Sequence, residues 1–235
     1  MKWQKIGEAC RYILLKPLTK LEIMLEFKLN NINKFEYKIM KEYLQSYEQF
    51  GEQIFYQTHP NIKLKGVRPT LCRYSIYGLE KYLNKNMEIL DIGSNIGFFS
   101  LYVSEKVKSI DLLEVNPKLV NICEKATKYL NIKNTNSIHK DIKTFKPSKK
   151  YDAIFSFAVH DHIDMDLEKY LALLHSFLKK DGIVLIESHP RKGINELEDF
   201  VKNKQKLFEI IESGITDDNM GKIRGFFYLK KREEA

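Results

Sequence analysis

Cysteine is scarce in this chain, and the three residues present (Cys10, Cys72 and Cys123) stand far apart with no C-x-x-C pair. That spacing disfavours a zinc knuckle or a disulfide framework and fits a reducing compartment. No uninterrupted apolar run approaches the length of a membrane span, and the N-terminus lacks the apolar block of a signal peptide. A soluble, cytoplasmic protein without a transmembrane segment is therefore expected. Internal repeats and low-complexity linkers are missing as well. So is any concentrated basic block: the net charge is +8 (39 − 31), and residues 1–66 hold eleven basic against seven acidic side chains, an excess of +4 that is interspersed. A polyanionic partner such as RNA and a merely solvated Lys-rich surface both accommodate that pattern.

What is present has a rhythm. Hydrophobic content of 43% supplies a packed core. From Met87 onward, short apolar runs alternate with amphipathic segments. "MEILDIG", "SIDLLEV", "NSIHKDI", "YDAIFSFAV" and "IVLIESH" read as strands, with two more near 207–215 and 223–230. Helices are expected from "GFFSLYVSEKV", from "PKLVNICEKATKYLNI" with Pro117 in its first turn, from "DLEKYLALLHSFLKKDG" closed by Gly182, and around 194–204. Residues 6–58 read as helical and aromatic-rich, with a leucine stripe over 13–29 and a second helix over 35–47. "THPNIKLKGVRPT" (58–70) reads as a connector. The expected fold is α/β, a Rossmann-like seven-stranded, mostly parallel sheet with helices on both faces, plus an N-terminal helical extension. The extension covers 1–66 and the domain 67–235. Such sheets bind ligands beyond the carboxyl ends of their strands.

The loop after the first of these strands, "ILDIGSNIGFFS" (89–100), is not a dinucleotide grip. Gly93 is there, but Asn95 and Phe98 stand where the second and third glycines of G-x-G-x-x-G would admit a pyrophosphate. No Gly-Lys-Ser/Thr ends the run, so it is no P-loop either. The remaining pattern, Asp91-x-Gly93-x-x-x-Gly97, offers a carboxylate at a strand end and a turn permissive of positive φ, which suits a cationic ligand.

On these residues, 87–190 resemble a class I S-adenosylmethionine-dependent methyltransferase. The resemblance implies that the loop Asp91, Gly93, Ser94, Asn95 and Gly97 wraps the methionine part of S-adenosyl-L-methionine. It implies that Glu114 in "LLEVNP" holds the ribose hydroxyls, that Asp141 in "HKDI" reaches the adenine amino group, and that Ile142 lies beside the ring. Phe157 would line the same site. Arg68 or Arg73, just upstream of the core, could bind the cofactor's carboxylate, with Tyr74 or Tyr77 helping, or could bridge the extension to the core. The closing "GIT…RGFFYLK" would match the reversed last strand of such enzymes.

The acceptor end departs from the Asn/Asp-Pro-Pro-Tyr/Phe motif of amino-group methylation, since "SFAV" is followed by His160-Asp161-His162. An acceptor hydroxyl must lose a proton, and histidine's ordinary pKa of about 6.5 suits a base. His160, His162 and His189 are the candidates, with Asp161 or Asp164 to orient a ring; Glu187 and Arg191 fall at the same end. A divalent cation that lowers the acceptor hydroxyl's pKa is the alternative for this cluster, but His160-x-His162 lacks a recognisable ligand spacing, and no metal is assigned. Asp166 reads as a helix cap, and His139 and His175 as structural. The pattern "RPT…YGL…LDIG…SFAVH…IESH" is similar to bacterial O-methyltransferases associated with saccharide or glycan synthesis, and distantly to enzymes that modify tRNA uridines. The implied activity is O-methylation of a sugar, glycan or related small acceptor, phosphorylated or not. RNA methylation is the alternative, and a non-catalytic cofactor-binding regulator is the alternative from another class. Oligomeric state is not legible.

Overall fold

The computed structural model describes residues 32–46, 55–64, 66–189, 195–217 and 223–233. In chain order its elements are α1 (Lys34–Ser46), β1 (Phe55–Gln57), β2 (Gly66–Arg68), α2 (Thr70–Tyr77), β3 (Glu88–Ile92), α3 (Phe98–Val103), β4 (Ser109–Glu114), α4 (Pro117–Tyr129) and β5 (Thr135–His139). Then follow β6 (Tyr151–Phe157), α5 (Leu167–Phe177), β7 (Leu178–Glu187), α6 (Glu196–Asn203), β8 (Phe208–Asp217) and β9 (Ile223–Lys231).

Seven strands form one sheet in the order β5-β4-β3-β6-β7-β9-β8. The five strands from β5 to β7 run parallel, and β9 inserts antiparallel between β7 and β8. The expected sheet and its reversed last strand are both present. Alternation along the strands sorts the core into two layers, one on each face. Ile89, Ile110, Ala153, Phe155 and Leu185 join one cluster, and Leu90, Ile92, Leu113, Ile154 and Ile186 the other. Burial on both faces is why these strands read as apolar runs rather than alternating ones.

Three boundaries differ from expectation. The helix expected to run to Gly182 stops at Phe177, because Leu178 already pairs with Tyr151 across an irregularity in the β6–β7 ladder. Gly182 is therefore a strand residue. Residues 55–57 form a strand where a helix was expected, and the expected connector carries its parallel partner β2. A Cβ on Gly66 would fall 2.7 Å from the Gln57 carbonyl oxygen, so only glycine lets these two strands close up. The leucine stripe of 13–29 lies outside the described residues. Cys123 is buried and free.

Helix α1 starts on a reciprocal cap. Asn33 Oδ1 accepts from the Phe35 and Glu36 amides, while Glu36 Oε2 accepts from the Asn33 amide. It packs on α4 through a Phe35–Tyr129 ring stack, and Glu36 Oε1 also takes the Lys63 amide at 2.7 Å. No helix among the described residues is long and apolar enough to cross a membrane.

Candidate active site

The loop between β3 and α3 is held from beneath by β4. The amides of Gly93 and Ser94 both donate to the Leu113 carbonyl, at 2.8 and 3.1 Å, and the Gly97 amide closes the turn on the Ser94 carbonyl. Gly93, Asn95 and Gly97 all adopt positive φ (66°, 57° and 73°). At both glycines the space is as restrictive as the torsion. A Cβ on Gly93 would lie 2.6 Å from a Val159 methyl, and one on Gly97 would lie 2.4 Å from Cys123 Sγ. The expected turn is thus built, and it touches the loop that follows β6.

Asp91 ends up buried, accepting a 2.7 Å hydrogen bond from Ser100 Oγ. Burial pushes its pKa up to about 7, against the opposing pull of the Ser100 bond and the Arg73 charge. Glu114, at the end of β4, accepts from the Asn95 amide on one oxygen and the Asn116 amide on the other. An ionised carboxylate has about four acceptor positions, so capacity for two hydroxyl donors remains. Asp141 follows β5, with one carboxylate oxygen on the Lys143 amide, and Ile142 is buried beside it.

The two upstream arginines differ in their surroundings, and Arg73 keeps a terminal nitrogen unpaired. Its guanidinium carbon sits 4.7 Å from the ring centroids of both Phe99 and Phe157. Nε and Nη2 lie 3.3 Å from the Tyr77 hydroxyl, while Nη1 is buried without a hydrogen-bond partner. Phe157 in turn stacks on Tyr77 at 5.1 Å. Such an orphaned donor fits a ligand carboxylate. Arg68 is committed elsewhere: Nη1 and Nη2 grip Glu187 bidentately at 2.8 and 2.6 Å, both residues being about 1% exposed. Tyr77 and Thr216 also donate to Glu187 Oε1, and Arg224 lies 3.9 Å from Oε2. Burial alone would raise the Glu187 pKa, but the guanidiniums, Arg68 above all, hold it down to about 2. The half-buried Tyr56 phenol, accepting from Arg68 Nη1 at 3.1 Å, is treated likewise. Burial opposes its ionisation, yet Arg68, Arg224 and Arg73 bring its pKa below the ordinary tyrosine value. Sequence reading placed Glu187 at the acceptor end without seeing that a buried arginine occupies it. The available signal was an acid closing an otherwise apolar strand.

Past β6 the chain turns sharply. Ala158 takes φ 53° with its amide on the Glu187 carbonyl, and His160–His162 form a single 3-10 turn. Asp161 lies between two imidazoles, 3.9 Å from His160 Nδ1 and 3.8 Å from His189 Nδ1. The His162 and His189 rings meet edge to face at 5.6 Å. The three histidines therefore do converge. They are not equivalent: His160 Nε2 is paired with the Met165 carbonyl at 2.9 Å, whereas His162 is exposed and His189 half-exposed. Asp166 caps α5 by accepting from the Lys169 amide. His139 closes β5 and is exposed, with Nε2 3.1 Å from the Val115 carbonyl, and His175 is buried in α5. Arg191 lies outside the described residues. Among the described residues no group of three or more His, Cys, Asp or Glu side chains could hold a metal ion.

Residues 67–209 match the family described as "Methyltransferase domain", which is more than half of the chain. A malonyl-[acyl-carrier protein] O-methyltransferase of Ilyobacter polytropus is 29% identical over 154 residues, covering 61% of this chain and 55% of that protein. An uncharacterised RNA methyltransferase of Mycoplasma mobile is 31% identical over 109 residues, 46% of this chain and 29% of that one. The chain spans about half the length, or less, of these curated relatives. Among solved structures, the N-methyltransferase NodS from Bradyrhizobium japonicum in complex with S-adenosyl-L-homocysteine superposes with a TM-score of 0.60. That match covers 86% of this chain and 100% of that one at 12% identity, a likeness of fold.

Proposed function

The chain belongs to the methyltransferase-domain family, and from that premise we propose that it moves a methyl group from S-adenosylmethionine to an oxygen of a small hydroxyl-bearing acceptor, a sugar or glycan. When bound, the donor supplies an electrophilic methyl on a sulfonium. The residues suited to hold it are Arg73 for the carboxylate, Asp91 and the Gly93–Gly97 turn for the amino end, Glu114 for the ribose, and Asp141 and Ile142 for the adenine. Phe157 closes that wall. Much of the rate in such a displacement comes from positioning, and the loop's tie to β4 and to Val159 supports a rigid site.

The observation that carries the oxygen reading is the Asp161-centred histidine pair. A carboxylate within 4 Å of two imidazole Nδ1 atoms can orient a ring, which is what a base needs when it takes a hydroxyl proton. Because His160 has one nitrogen on the Met165 carbonyl, His189 and His162 are the more accessible proton acceptors.

Methyl transfer from labelled S-adenosylmethionine to hexoses, sugar phosphates, glycans and bulk tRNA tests this, in wild type and in His160→Ala, His162→Ala and His189→Ala. Sugar methylation lost in at least one variant, with S-adenosylhomocysteine still bound, is the expected result. Full activity in all three would end the histidine-base reading. Transfer to tRNA alone would favour the second reading, RNA methylation, which the net charge of +8 and the Mycoplasma relative support. Cofactor binding with no transfer to any acceptor would favour a regulatory protein.

A further inference from the structure

Gln57 lies on β1, before the first residue that matches the methyltransferase domain. It is 5% exposed, and its side chain reaches the cofactor loop rather than solvent. Nε2 faces the Ser94 carbonyl at 3.4 Å, and Oε1 accepts from the Phe99 amide at 3.3 Å. One partner accepts and the other donates, so only one orientation of the amide satisfies both. The two contacts straddle the turn that contains Asn95 and Gly97 in positive φ.

The rest of β1 is anchored on both sides. Phe55 stacks on Phe98 and on Tyr43, and the Tyr56 amide donates to Tyr43 Oη at 2.8 Å. The ladder to β2 holds Gln57 opposite Arg68. The adjoining His59 is buried against Phe98 and Tyr102, with its pKa lowered by burial to about 4. The strand therefore cannot withdraw without breaking packing on α3, the helix that the cofactor loop enters.

We propose that Gln57 is a positioning residue for the cofactor: a side chain from outside the methyltransferase domain that clamps the Ser94–Phe99 turn in its binding conformation. The proposal rests on the reading of that turn as the S-adenosylmethionine site. Without the clamp the turn samples conformations that do not bind, and affinity falls with the population of the competent one.

Calorimetric titration of S-adenosylhomocysteine into wild type, Gln57→Met and Gln57→Glu tests it, with each Tm measured alongside. Gln57→Met keeps the volume and loses both hydrogen bonds, so roughly tenfold weaker binding is expected, with Tm lowered by only a few degrees. Gln57→Glu supplies the distinctive readout. Ionised, it repels the Ser94 carbonyl; protonated, it can donate to Ser94 and accept from Phe99 as glutamine does. Its affinity relative to wild type should therefore recover as pH falls from 8 to 5.5. Wild-type affinity in Gln57→Met overturns the clamp, and so does a Gln57→Glu defect that ignores pH. Failure of wild type itself to bind would instead overturn the cofactor reading.

Discussion

Asp91 and Glu187 are two buried carboxylates with opposite titration behaviour, and each predicts a pH effect of its own sign. Asp91 has its folded pKa raised to about 7 by burial, above the unfolded value of about 3.9. Its contribution to stability is therefore full below about pH 4 and lost as pH rises through about 7, a change of up to about 4 kcal/mol. Denaturant titrations of Asp91→Asn should lack that slope. The same ionisation prepares the site for an ammonium group, so S-adenosylhomocysteine should bind wild type more tightly from pH 6 to 8, and Asp91→Asn with little pH dependence. Glu187 is depressed to about 2 because the arginines outweigh burial. Its stabilising effect is present above the unfolded value of about 4.3 and lost as pH falls through about 2. Removing it by Glu187→Ala strands Arg68 in the interior, and urea unfolding should show a loss of about 3–5 kcal/mol.

At the scale of elements, the Asp91–Gly97 turn is where conformation and packing agree most closely. Gly97→Ala would impose a side chain at φ 73° and set its Cβ 2.4 Å from Cys123 Sγ on α4. The torsion alone costs about 1–2 kcal/mol and the overpacking a further 1–3 kcal/mol. A lower Tm together with weakened cofactor binding is expected, whereas a lower Tm with unchanged affinity would mean that the turn does not shape the site. Legibility differs between elements for the same kind of reason. Strands β3, β4 and β6 were readable because burial on both faces demands apolar side chains at consecutive positions. The start of β7 was not, because "LKKDG" has helical composition and becomes strand only through pairing with Tyr151. Strands β1 and β2 escaped as well, since three-residue strands carry no usable period.

For the molecule as a whole, ligand binding should appear as global stability, because the loop, α3, β4 and β1 are tied into one packed layer. At a hundredfold excess over its Kd, S-adenosylhomocysteine should add about 2.7 kcal/mol. For a chain of this size that is a Tm increase of roughly 5–10 °C, readable by scanning calorimetry. An unchanged Tm at saturation would contradict a cofactor site built into the core. The charge of +8 gives this scale a second expectation. Any binding to bulk tRNA that is only electrostatic should fall by orders of magnitude between 50 and 200 mM salt.

The amino-acid sequence alone determined the alternation of strands and helices, the positive-φ turn Asp91–Gly97, the acids at the end of β4 and after β5, and the histidines after β6 and β7. Each of these is a local pattern, written in residues a few positions apart. Tertiary structure decided what depends on distant partners. It assigned Arg68 to Glu187, 119 positions away, and left Arg73 beside Phe99 and Phe157 with Nη1 unpaired. It brought Asp161 between His160 and His189, and it set Gln57 against a turn 37 positions downstream. Which of two arginines keeps an unpaired terminal nitrogen, and which of three histidines lie beside a carboxylate, are questions of packing geometry, and no spacing along the chain encodes them.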